Sequence, residues 1–178
     1  MTMAMRCLMA AALVCLAATA VAQQPAPPAA PANPLDTLPE KMPFDIPYGA
    51  PISLDRAEAA LNAAVGEAKN RNWKLSCAVT DSGAQLVSFK RMDGAQLAGV
   101  DAGIHKARTS AKYRRETKVF ESGIQGGFHY LATLDDVIAA RGGIPLVEGG
   151  KLIGAIGCAG GTGSQDEAAA KAGAALFK

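Results

Sequence analysis

GGIPLVEGGKLIGAIGCAGG, residues 142–161, is the stretch that decides the architecture. Two apolar runs, Ile144 to Glu148 and Lys151 to Cys158, are separated by Gly149-Gly150 alone. A two-residue hairpin turn needs positive φ, which glycine adopts without steric cost. Gly142-Gly143 makes a turn before the first run, and Ala159 to Gly163 forms a glycine-rich loop after the second. The stretch therefore reads as a β-hairpin.

A second hairpin lies upstream. Leu75, Cys77 and Val79 alternate with Ser76, Ala78 and Thr80. Asp81-Ser82-Gly83 supplies a turn, and Gln85 to Arg91 returns. Helical spacing surrounds both hairpins. Ala57, Ala60, Leu61, Ala64, Val65 and Ala68 repeat with a helical period after the N-cap candidate Ser53. A long helix is expected from about Ala95 to Arg114, and a short one near Leu134 to Ala140. Ser164-Gln165-Asp166-Glu167 reads as a capping box opening a last helix from Asp166 to Leu176. Helix, hairpin, helix, short helix, hairpin, helix suggests an antiparallel sheet covered by helices, an α+β sandwich.

The chain has 178 residues, with 18 Lys and Arg against 16 Asp and Glu, a net charge of +2. A near-neutral chain is not a general nucleic-acid binder. Residues 1–22 read as a signal peptide: Arg6, an apolar run from Cys7 to Thr19, and Ala20-Val21-Ala22 before Gln23. The run is too short for a membrane span, so no integral membrane segment is expected after cleavage near Ala22-Gln23. The lipoprotein alternative at Cys15 is disfavoured by Val14 before it. A periplasmic or secreted protein is expected, and Cys77 and Cys158 are the cysteines it keeps. Nine of the ten prolines fall between Pro25 and Pro51. Residues 23–51 divide into a Pro/Ala-rich tether and, from Leu35, an irregular arm laid over the domain or over a neighbouring subunit. The domain itself spans 52–178.

GIHKARTSAKYRRET, residues 103–117, carries one of two histidines within a basic cluster. At 100° per residue, Leu97, Val100, Ile104, Ala107 and Ala111 form an expected core stripe. His105, Lys106, Thr109 and Tyr113 fall on the opposite face, which reads as a wet helix surface or as a ligand or subunit-contact face. His105 and Thr109 are the candidate metal or haem-iron donors on it. His105 and His129 are 24 residues apart with no clustered cysteine or carboxylate, so they form no zinc signature. The loop Gly157 to Gly163 precedes a helix and could hold an anion. It lacks the Walker A lysine, and turn chemistry is the commoner use of such glycines. Arg91 and Asp93 end the second strand, as a turn or at the mouth of a cleft.

With these segments in order, the chain resembles the GlcG/HbpS family of small haem-binding proteins, a domain also found at the end of some corrinoid adenosyltransferases. The resemblance is carried by PYGAPISLDRAEAA (47–60), AVTDSGAQLVSFKRMDGAQL (78–97), KARTSAKYRRETKVFE (106–121) and GGIPLVEGGKLIGAIGCAGG (142–161), then DE (166–167). It implies a five-stranded antiparallel sheet flanked by helices, profilin-like in shape, and homo-oligomeric assembly. It implies haem binding in some members, with a threonine near the haem iron that corresponds to Thr109, and links to iron binding and haem breakdown. His105 and Cys158 depart from the expected pattern. In the implied sheet the first and last strands are neighbours, so Cys77 and Cys158 could face one another and pair.

These readings lead to an exported haem- or tetrapyrrole-binding protein that sequesters or hands on haem or iron, with His105, Lys106, Thr109 and Tyr113 as its binding residues. The alternatives are an enzyme acting on a small organic acid or aldehyde, its pocket lined by Lys106, Arg91 and Asp93, and an accessory protein-interaction module. A buried Lys106 beside a carboxylate favours the enzyme. An apolar patch beside Tyr113 and Phe120 favours the module.

Overall fold

Both hairpins form and pair with each other. A computed structural model describes residues 40–42 and 44–177. In it β1 (Ser76–Asp81) pairs with β2 (Leu86–Arg91), and β3 (Gly143–Glu148) with β4 (Lys151–Ala159). β1 and β4 join the two hairpins, giving an antiparallel sheet of order β2-β1-β4-β3. Gly149 and Gly150 turn at φ +55° and +73°, the backbone that a Gly-Gly hairpin supplies. The segments read as signal peptide, 1–22, and tether, 23–33, lie outside the described residues, as do Cys7 and Cys15.

The central strands are covered on both faces. Ile156 and Cys158 of β4 pack with Ala60, Leu61 and Ala64 of α1 (Leu54–Asn70) and with Ala169 and Ala170 of α4 (Gly163–Ala174). Between them Gly157 points the other way, onto α2 (Ala98–Tyr113). This alternation places α1 and α4 on one face and α2 on the other. Cys77 and Cys158 are direct partners in the β1–β4 ladder, with Cα atoms 4.1 Å apart, and form a disulfide.

Three expectations need correction. The sheet has four strands among the described residues, not five. Residues 134–141, the last stretch before β3, form no strand because side chains take their backbone groups. Thr109 Oγ1 accepts the Ile138 N–H, Glu121 accepts the Arg141 N–H, and the chain turns left-handed at Asp136. For the same reason the expected helix at Leu134–Ala140 is absent. Helical structure falls earlier, in α3 (Lys118–Gln125) and a 3-10 turn at His129–Thr133. The capping box of α4 also lies earlier, between Thr162 and Gln165. That shift gives the capping roles expected of Ser164 and Glu167 to Thr162 and Gln165.

The described part of the arm lies over its own domain. Ile46 packs beside Ala111, Leu152 and Ala155. Residues 47–49 bond to Leu152 through its N–H and C=O, at 2.8 and 2.7 Å, beyond the point where β1 ends. Tyr48 Oη donates to the Lys112 carbonyl at 2.7 Å. No helix among the described residues is long and apolar enough to cross a membrane.

Candidate functional site

The site is set by how α2 sits on the sheet. Its contact seam is Gly99, Gly103, Ala107 and Ala111, one residue per turn, all buried. A Cβ at Gly157 would lie 2.3 Å from the Gly103 carbonyl oxygen, so helix and strand backbones touch there. Only residues without bulk permit that approach. The expected core stripe is therefore corrected by a rotation of the helix. Leu97 is 75% exposed, and Val100 and Ile104 are half-buried.

The same rotation divides the expected ligand face. Lys106 and Thr109 are buried rather than outward. Lys106 Nζ donates to Asp166 Oδ2 at 2.7 Å and to the Cys158 carbonyl at 3.2 Å. Asp166 Oδ1 accepts the Gly161 N–H at 2.9 Å. The helix terminus after the glycine loop is thus served by the chain's own side chains, in line with turn chemistry. Thr109 Oγ1 donates to the Asp136 carbonyl at 2.7 Å and accepts from Ile138 N at 3.1 Å. Tyr113 Oη donates to the Asp135 carbonyl at 2.7 Å. Thr109 and Tyr113 both hold segment 134–141 in place, which the sequence pattern did not reveal.

His105 is different. Its Nε2 is buried and has no hydrogen-bond partner. The ring lines a cavity of about 300 Å³ with Leu86, Asp101, Ile104, Arg108 and Asp136. Leu97, Asp101, Ile104, Arg108 and His105 share one arc of roughly 100° on α2. This face combines an unpaired ring nitrogen, an apolar wall and a guanidinium.

The other cations of the cluster are engaged. Lys112 pairs with Asp136, whose carboxyl it holds below the usual range, with smaller contributions from His105 and Arg108. Arg114 donates to the Ile46 carbonyl at 3.0 Å and lies over Tyr48. Arg115 stacks on Phe44 at 3.4 Å, and burial followed by the neighbouring Arg114 lowers its pKa. Arg108 is exposed and makes no ion pair among the described residues. It is the cation free to meet a ligand carboxylate.

Lys106 lines a separate space of about 190 Å³, with Gly160, Gly161 and Asp166. Arg91 and Asp93 line another cleft, so the three residues expected to share an enzyme pocket do not. Phe120 is buried, edge-on to Tyr113 at 5.1 Å between centroids, so its ring does not contribute to the apolar surface expected of an interaction module there. Among the described residues, no three His, Cys, Asp or Glu side chains cluster to hold a metal ion.

Fold and site together define a small α+β ligand-binding domain, with its open face on the helix that follows the first hairpin. Residues 52–175 match the family described as haem degrading protein HbpS-like, and the chain belongs to that family. Protein GlcG of Escherichia coli strain K12 is 39% identical over 106 residues, covering 60% of this chain and 79% of GlcG. The crystal structure of HbpS superposes with a TM-score of 0.68 at 27% identity, covering 75% of this chain and 95% of HbpS. The PduOC:heme complex shares the fold at 23% identity and a TM-score of 0.66, covering 72% of this chain and 96% of the other. The family description supports a haem-related role, and these neighbours support the fold.

Proposed function

We propose that this chain is an exported haem- or tetrapyrrole-binding protein that sequesters or hands on haem, or the iron within it. The observation that carries this reading is the buried, unpartnered Nε2 of His105. A buried nitrogen without a partner is costly unless a ligand satisfies it. Imidazole is a common axial donor to haem iron. Ile104 and Leu86 offer the apolar wall of the cavity, and Arg108 offers a cation to a propionate. The cavity encloses only part of a macrocycle, so the reading includes a second copy of the chain closing over the exposed Leu97. Thr109 contributes by positioning segment 134–141, and Lys106 by holding α2 to α4. PduOC, of the same fold, carries heme in its crystal structure. Export is supported by the signal-like residues 1–22 and by the Cys77–Cys158 disulfide, a bond of oxidising compartments.

Haemin titration of the purified protein tests the site. The parent should develop a shifted Soret band that His105→Ala loses or displaces. Thr109→Val should keep the band while costing about 1–3 kcal/mol of stability, through two lost hydrogen bonds. A parent without any spectral change, or a His105→Ala variant identical to it, overturns the proposal. The enzyme reading has one observation in its favour, Lys106 buried beside Asp166. Both hydrogen bonds of that amine are structural, so a binding protein fits the geometry better.

A further inference from the structure

A second cleft lies away from α2, between the C-terminal end of α1, residues 72–74 and the end of β2. It measures about 730 Å³. Four cations line it, Lys69, Lys74, Lys90 and Arg91, with Asp93 as the one acid. None of the four forms an ion pair among the described residues. This contrasts with the α2 cluster, where most cations are matched by carboxylates or aromatic rings. Lys90 is held by Asn62 across the cleft, and Arg91 donates to the Ala95 carbonyl at 3.1 Å. Lys74 lies across the turn at Gly94, where an added Cβ would come within 3.2 Å of its Nζ. Two of the cations are thus tethered by neutral oxygens, which fix the side chains and leave the charge uncompensated.

The cleft also has an apolar component. Trp73, Val65 and Met92 line it, each only partly exposed. Arg71 stacks on the indole at 5.1 Å and helps to fix the ring. Apolar lining with a few charged groups at its edge is the usual composition of a small-molecule site. Uncompensated cations converging on a concave surface raise the local concentration of anions.

We infer that this cleft binds a small organic polyanion, of the di- or tricarboxylate kind, whose carboxylates meet Lys69, Lys74, Lys90 and Arg91 while its apolar body lies against Trp73 and Met92. This site is separate from the His105 face and does not depend on haem binding there.

Trp73 is the one tryptophan of the chain, so its fluorescence reports on this cleft alone. Phthalate, two carboxylates on a planar apolar body, is the probe, and sulfate is the control for charge without a body. Phthalate should change Trp73 emission saturably, and added salt should weaken it. In Lys69→Gln/Lys74→Gln, both exposed positions, the dissociation constant should rise on the order of tenfold. His105→Ala should bind phthalate as the parent does, which separates this site from the haem reading. Calorimetry on the same proteins guards against a change in quenching being taken for a change in affinity. No saturable binding by either method, unaltered affinity in the double variant, or sulfate binding as tightly as phthalate would overturn the inference.

Discussion

Lys106 shows how much a single buried charge can decide. Its ammonium and the Asp166 carboxylate are about 5% exposed, and each has a second hydrogen bond within the protein. Removing one partner of such a pair leaves the other charged and dry, which costs about 3–5 kcal/mol. Lys106→Met should therefore lower the unfolding free energy by about that amount in urea denaturation. Adding Asp166→Leu should restore most of the loss. A Lys106→Met protein as stable as the parent would show that the pair does not hold α2 to α4. His105, one position earlier, has no such partner, and that asymmetry between neighbours is what separates a structural residue from a candidate ligand donor.

Among the elements, segment 134–141 is held by side chains rather than by a backbone ladder. Glu121 of α3 accepts from the Arg141 guanidinium and from the Arg141 N–H, each at 2.7 Å. The Arg141 side-chain hydrogen bond outweighs burial and holds the Glu121 carboxyl below its ordinary value. A carboxylate depressed in the folded state contributes stability above its unfolded pKa, and that contribution fades as pH falls through the folded value. Acid should thus loosen this segment before the sheet. Hydrogen exchange at Ile138 and Arg141 should accelerate as pH falls below about 4, relative to β4 and after correction for intrinsic rates. In Glu121→Gln the segment should be loose already at neutral pH, and the acid-dependent step should disappear. An unchanged step in that variant would assign it to another carboxylate.

At the scale of the whole molecule, the disulfide joins strands from two hairpins far apart in sequence. Cys77 and Cys158 are separated by 81 residues, and α2, α3 and β3 lie in the loop between them. Constraining so long a loop in the unfolded chain is worth roughly 2–5 kcal/mol. Reduction, or the Cys77→Ala/Cys158→Ala pair, should lower the thermal midpoint with the fold retained, as measured by calorimetry and far-ultraviolet dichroism. The α+β class, both hairpins and the first helix were legible because strand alternation, glycine turns and helical spacing are local signals. The orientation of α2 was not legible. A glycine seam carries no hydrophobic signal, and its close approach exists only when β1 and β4 lie beneath it. Nor were the fates of Thr109 and Tyr113 legible, because their partners at 135–138 are 22 to 29 residues away and meet them only in the folded chain. The sequence by itself determined both hairpins, the first, long and last helices, and the family, but not the segment from Lys118 to Arg141, whose shape depends on distant side chains. Tertiary structure alone decided which side of α2 is free, because that choice depends on where backbones can touch.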